Sequence, residues 1–296
     1  MSDKSFLAGA ADNVIKLYHS KRKFVGADAC AAYISDMEKI GRQPYKLPAA
    51  AALSGRISER IEDGMQVFTI GREFSRQVLY LHGGSYFAPP NLFHWDMLTR
   101  ISAAAEVCIT APIYPRAPVH TCSAAYSKLT KLCAESDFEL FMGDSAGGGL
   151  ALGLTQMLRD EGRHFPDELI LISPWLDVTM SNAEMKQFED TDPVLGIYGL
   201  KRFGKLWAGS LDIRDPRVSP IYGSFDGIKK LSIFIGTHEI FYPEVMRLER
   251  MLEGSETILD ITVGEDMTHV WPSYPMREGR EAIARIAEII KYSQKN

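Results

Sequence analysis

Apolar residues near the N-terminus recur at helical spacing, and further along the chain the period shortens to that of strands. Residues of about 8–23 and 28–40 read as helices; in the second, Cys30, Tyr33, Ile34, Met37 and Ile40 share one face and Gly41 offers a stop. ISERI and QVFTI then flank Asp63-Gly64, which predicts a β-hairpin. Short apolar runs alternate with helical stretches from there on: VLYLH at 78–82, EVCIT at 106–110, FELFM at 138–142, LILIS at 169–173, LSIFIG at 231–236 and ILDITVG at 258–264. That alternation predicts an α/β fold with a mostly parallel sheet of about eight strands flanked by helices. Only one strand falls between Met142 and Leu231, so residues of about 180–215 read as an insertion. With Phe188, Tyr198, Phe203 and Trp207, it is expected to join the N-terminal segment, about 1–48, as a helical cap on a single domain spanning 1–296.

Composition narrows the class without changing the elements. Of 296 residues, 46% are hydrophobic and 24% charged, which suits a large core and argues against disorder. A net charge of −5 argues against a general nucleic-acid binder. The N-terminus carries Asp3 and Asp12 and no unbroken apolar stretch of the signal-peptide kind, and no later run reaches transmembrane length, so a soluble, cytoplasmic protein without stable membrane insertion is expected. Lys16, Lys21, Arg22 and Lys23 cluster near one helix and read as a solvated cap face. Cys30, Cys108, Cys122 and Cys133 lack CxxC spacing and suit buried, reduced thiols.

Candidate chemistry gathers at the seam between FELFM and the alanine- and glycine-rich segment after it. Gly143-Asp144-Ser145-Ala146-Gly147 fits G-x-S-x-G, with a strand expected to end at Met142 and a helix to begin near Ala146. Such a turn needs small flanking residues because strand and helix pass close together; it lifts the serine hydroxyl clear and leaves the next N–H at a helix N-terminus to face an anion. By itself the pattern recurs by chance in roughly one chain in ten of this length. His82-Gly83-Gly84-Ser85 follows VLYLH and exposes backbone N–H groups that would complete an oxyanion hole with Ala146.

A nucleophile needs a base, and the chain holds seven histidines. His19 lies in a basic helical segment, His94 and His120 in loops or helix starts, His164 in a polar helix end, and His82 in the glycine turn. His269 follows the last expected strand, in GEDMTHVWP, where the order serine, acid, histidine places a base. The acid is expected just past LSIFIG, at Glu239, to fix the imidazole tautomer. Asp266 and Glu244 are rivals better suited to capping or solvent, and His238 beside Glu239 lacks further metal ligands at a recognisable spacing.

HGGSYF, YPRAPVH at 114–120, GDSAGGGLAL, SPWLDVT at 173–179, DPRVSP at 215–220, GTHE at 236–239 and DMTHVW at 266–271 occur in that order. Together they resemble the hormone-sensitive-lipase-like branch of the α/β hydrolases over roughly residues 65–290. The resemblance implies a carboxylesterase or acetyl esterase with an N-terminal helical cap and an oxyanion hole of Gly83, Gly84 and Ala146. Two positions depart from that pattern. Glu239 stands where the family carries aspartate, which keeps the carboxylate, and Val119 stands where glutamate is common, which alters a supporting loop.

The expected activity is hydrolysis of short-chain esters, acetyl to butyryl, through Ser145, His269 and Glu239 and an acyl-enzyme, with no metal and no organic cofactor. An amidase or formamidase would use the same triad, and a small-molecule receptor would keep the fold with a spoiled one; here all three positions carry competent residues. Tyr86 and Phe87, beside the oxyanion turn, and Trp207, in the insertion, are candidates for the acyl-pocket wall. The expected partner is a small-molecule ester; a homodimer is compatible with the sequence, which does not specify oligomeric state.

Overall fold

The strands form in the predicted order, and their burial explains their composition. The computed structural model describes residues 21–293. The helix expected at 8–23, apart from its last residues, lies outside them, as do Lys16, His19 and the first part of the expected cap. Strands β1 (Ile57–Glu62), β2 (Met65–Ile70), β3 (Gln77–Leu81), β4 (Cys108–Pro112), β5 (Leu140–Asp144), β6 (Glu168–Ile172), β7 (Lys230–Gly236) and β8 (Ile258–Gly264) make one eight-stranded sheet. Its order is β1-β2-β4-β3-β5-β6-β7-β8, antiparallel at β1–β2 and β2–β4 and parallel elsewhere. Helices cover a parallel sheet on both faces, so β3, β5, β6 and β7 are almost wholly buried, apolar runs, while the edge strand β8 is half-buried. Asp63 and Gly64 both take positive φ, 46° and 74°, the geometry a tight two-residue hairpin requires.

Helix α1 (Ala27–Gly41) matches the periodic segment at 28–40. Helices α2 (Leu92–Ala105), α3 (Cys122–Ala134), α4 (Ala146–Asp160), α5 (Ile197–Ala208), α6 (Tyr242–Leu252) and α7 (Arg277–Tyr292) follow. Asn91 and His94 form a reciprocal capping box at the start of α2, and Glu106 ends that helix in a left-handed cap. That cap takes up Glu106, so β4 begins two residues later than EVCIT suggests. β5 departs in the other direction: its pairing continues through Leu81↔Gly143 and Asp144↔Ile172, so the strand runs to Asp144 instead of stopping at Met142. Ser145 therefore stands directly at the strand's end.

Between β6 and β7 the chain makes a short turn at Ala183–Phe188 and then α5. Phe203 of α5 contacts Phe24 at 5.4 Å, Tyr33 of α1 at 5.4 Å and Phe87 at 4.8 Å between ring centroids. Beside them Tyr86 stacks on Trp207 at 4.1 Å and 2° and on Trp175 at 5.4 Å. One aromatic layer thus joins α5 and the segment around α1 to the loop after β3. Among the described residues no helix is long and apolar enough to cross a membrane.

Candidate active site

Ser145 sits between β5 and α4 at φ 53° and ψ −122°, a conformation that costs strain for a residue with a side chain. The surroundings hold it there. Its N–H donates to Ile172 O at 2.8 Å, and its carbonyl accepts from Gly148, Gly149 and Trp175. A Cβ on Gly147 would lie 2.0 Å from Leu81 O, and one on Gly143 would lie 2.4 Å from Gly147 O. The glycines of G-x-S-x-G are the consequence of that closeness between strand and helix.

His269, on the loop after β8, and Glu239, just past β7, reach Ser145 across the end of β6. The Ser145 hydroxyl lies 2.8 Å from His269 Nε2, and His269 Nδ1 lies 2.7 Å from Glu239 Oε2. Glu239 is fully buried, and its other oxygen, Oε1, accepts the Ser173 hydroxyl and the Gly236 N–H, both at 2.7 Å. Ser173 Oγ in turn accepts the Val270 N–H at 3.0 Å, linking the acid to the loop that carries the histidine. Thr237 N–H to Gly264 O and His238 N–H to Met267 O, each 3.0 Å, join the same two loops through backbone. Burial pulls the His269 pKa down, but the hydrogen bond and charge of Glu239, aided by Asp192 and Asp144, outweigh it and hold the imidazole above its ordinary value. The rival acids lie elsewhere: Asp266 faces His238 at 3.4 Å, and Glu244 bonds Asn182 and Arg247 within and beside α6.

The glycine turn after β3 departs from expectation in one donor. Gly83 N–H is taken, donating to Asp144 Oδ1 at 2.8 Å, and Gly83 is absent from the cavity wall. Gly84 and Ser85 line the cavity beside Ser145, and among the described residues neither their N–H groups nor that of Ala146 has a hydrogen-bond acceptor. Ser85, at φ 56°, thus stands with Gly84 and Ala146 as a residue with an unengaged N–H beside Ser145, whereas the N–H of Gly83 is tied to Asp144.

Asp144, the variable residue of the serine motif, anchors this loop. Its carboxylate accepts from Tyr80 Oη as well as from Gly83 N–H, and faces His94 Nε2 at 3.4 Å. Burial by itself would raise its pKa, yet His94, Tyr80 and Gly83 together keep it below the ordinary carboxylate range. His94 Nδ1 is held by Asn91, whose N–H lies 3.1 Å and whose Oδ1 lies 2.9 Å away, so the ring turns Nε2 toward Asp144. His82, held near pKa 3 by burial and by Arg116, is neutral; its Nδ1–H donates to Gly83 O at 2.7 Å and its ring stacks on Tyr114 at 4.4 Å.

The cavity over Ser145 measures about 90 Å³. Phe24, Phe93, Val194, Leu195, Val270 and Tyr274 supply its apolar wall. Tyr86, Phe87 and Trp207, expected there, do not line it: each is at most 1% exposed, packed within the aromatic layer. Val194 and Leu195 are placed instead by the buried Asp192, whose carboxylate accepts their N–H groups and that of Ile240, next to Glu239. Burial raises Asp192 to about 6 against those hydrogen bonds. The basic cluster is not all solvated either. Lys21 Nζ donates to the carbonyls of Glu189 and Asp192, and Lys23 lines the cavity. Ser173, Asp144 and Asp192 escaped sequence reading because each acts through another residue; the only local sign was a polar residue directly at the end of a buried strand for Ser173 and Asp144.

The profile of the α/β hydrolase fold family matches residues 78–273. This chain is a member of the α/β-hydrolase family, in its hormone-sensitive-lipase-like esterase branch. Among curated relatives of this hydrolase, an acetyl-hydrolase of Streptomyces hygroscopicus is 31% identical over 221 residues, 72% of this chain and 74% of that one. An esterase of Acinetobacter venetianus is 26% identical over 224 residues, 71% and 73% of the two chains. Of solved structures, a presumed esterase from Staphylococcus aureus superposes on the hydrolase with a TM-score of 0.88 and 29% identity, covering 94% of this chain and 98% of its own.

Proposed function

We propose that this esterase hydrolyses short-chain carboxylic esters, acetyl to butyryl, through a Ser145–His269–Glu239 triad. The observation that carries the reading is the continuous relay of 2.8 Å and 2.7 Å contacts from Ser145 Oγ through both ring nitrogens of His269 to Glu239. Glu239 accepts a hydrogen bond from Nδ1–H and keeps the proton on that nitrogen, so Nε2 presents its lone pair to the serine hydroxyl. Ser145 Oγ attacks the ester carbonyl carbon as His269 Nε2 takes its proton, and the carbonyl oxygen becomes an oxyanion facing the N–H groups of Gly84, Ser85 and Ala146. Each such donor contributes on the order of 10²–10³ in rate. The C–O bond to the alcohol then breaks, and His269 returns its proton to the departing oxygen. Water repeats the attack on the acyl-enzyme, releasing the acid and restoring Ser145.

The small cavity and its apolar wall favour a short acyl chain. Four free thiols fit a reducing, cytoplasmic setting, and the partner is a small-molecule ester. The test is a panel of p-nitrophenyl esters graded by chain length, with an anilide included, run on parent and Ser145→Ala protein. Fastest turnover at two to four carbons, lost in the variant, is expected. Preference for the anilide would move the enzyme to the amidases, and unchanged turnover by Ser145→Ala would remove the serine from the mechanism.

A further inference from the structure

The cavity over Ser145 carries a charge that hydrolysis of a neutral ester does not need. Lys23, in the turn Lys21–Phe24, lines the same cavity as Ser145 and His269. Its Nζ lies 4.9 Å from the Tyr33 ring centroid and 5.2 Å from that of Phe24. Aromatic faces hold an ammonium in place without cancelling its charge. Burial lowers the Lys23 pKa to about 8, so the group stays cationic at neutral pH.

Among the described residues, no carboxylate pairs with Lys23, whereas Lys21 two positions earlier is satisfied by carbonyl oxygens. Among the described residues the sole acid on the cavity wall is Asp144, whose oxygens are committed to Tyr80, Gly83 and His94. The remaining titratable groups there are His94, bound to Asp144 and Asn91; His269, in the triad; and Tyr274, whose hydroxyl donates to His269 O at 3.2 Å. None contributes a negative charge. An uncompensated cation in a confined, largely apolar site favours a ligand that brings the anion with it.

We propose that Lys23 is a specificity-determining residue that directs this site toward short esters bearing a carboxylate. The inference rests on the esterase reading above for its turnover arm. The carboxylate can sit on either side of the scissile bond, at the far end of the acyl chain or on the alcohol. Monoethyl succinate carries it on the acyl chain and O-butyrylglycolate on the alcohol; ethyl butyrate is the neutral partner of both. Acid release is followed by pH-stat titration for all three.

At pH 7 at least one charged ester is expected to exceed ethyl butyrate in kcat/KM by about tenfold, equivalent to about 1.4 kcal/mol. That ratio should fall as pH rises through about 8, where Lys23 loses its proton. Lys23→Met and Lys23→Gln, which keep the stem against Tyr33 and Phe24, should bring the ratio to about one, and Lys23→Arg should retain part of it. Calorimetric binding of monoethyl succinate and O-butyrylglycolate to Ser145→Ala, with and without Lys23→Met, reads the same contact without turnover. Weaker binding in the double variant supports the role of Lys23 even if hydrolysis assigned to Ser145 fails. The proposal is overturned if neither charged ester is preferred, if the neutral variants leave the ratio unchanged, or if both variants bind the charged esters equally.

Discussion

Replacing Glu239 by glutamine tests whether the carboxylate controls the catalytic proton, because the structure dictates how the amide must lie. Oε1 receives two buried donors, the Ser173 hydroxyl and the Gly236 N–H, both at 2.7 Å. The amide oxygen of Glu239→Gln is therefore held at that position, and its NH₂ falls where Oε2 now accepts from His269 Nδ1 at 2.7 Å. A donor facing Nδ1 forces the ring proton to Nε2, where it points at Ser145 Oγ and cannot be exchanged for the serine proton. Escape requires flipping the amide, which forfeits both Oε1 hydrogen bonds at about 1–3 kcal/mol each. The productive tautomer then costs about 2–6 kcal/mol, a loss of roughly 30-fold to 10⁴-fold in kcat. The corresponding carboxylate-to-amide change in a serine protease costs about 10⁴. Stopped-time assays of p-nitrophenyl butyrate hydrolysis at pH 7–8 measure it, with a thermal melt to confirm that the isosteric variant is folded. A fall in kcat of less than tenfold would refute this account of Glu239.

Other consequences follow from the same contacts. Since His269 must be neutral to accept the serine proton and its pKa is raised, the acidic limb of the kcat/KM profile should have its midpoint above the ordinary histidine value of about 6.5, activity rising with pH; Glu239→Gln, which removes the raising charge, should move that midpoint acidward, and a parent midpoint below 6.5 would contradict the assignment. Gly83→Ala should abolish activity and lower the melting temperature, because its Cβ would lie 2.2 Å from Asp144 Oδ2 and displace the loop anchor. Ser85→Ala keeps the backbone donor and should retain activity within a few-fold; a hundredfold loss there would show that the hydroxyl, and not the N–H, is the working group.

The cap between β6 and β7 and the α1 segment meet through Phe203, Phe24 and Tyr33, residues visible in the sequence only as aromatics at helical spacing. Periodicity could say that such residues are buried but not against what, so Tyr86, Phe87 and Trp207 were expected at the acyl pocket and instead stack on one another and their neighbours. The same limit applied to the basic turn Lys21–Lys23, which as a string of charges reads as solvated: Arg22 is exposed, but Lys21 bonds the carbonyls of Glu189 and Asp192 and Lys23 lines the cavity.

The succession of strands along the chain, the serine turn, and the placing of a late histidine and a preceding acid just past strand ends are legible in the sequence alone, because each is set by local physics: a buried parallel strand must be an apolar run, and a strand–helix turn this tight must be glycine. Tertiary structure decided what local rules leave open. Which N–H groups of the glycine turn stay free beside Ser145 depends on Asp144 capturing that of Gly83 across 61 residues of chain. Glu239 can serve because Ser173, 66 residues earlier, fixes its other oxygen. Hydrogen bonds between distant strand ends are satisfied only after the sheet assembles, and no spacing along the chain records them.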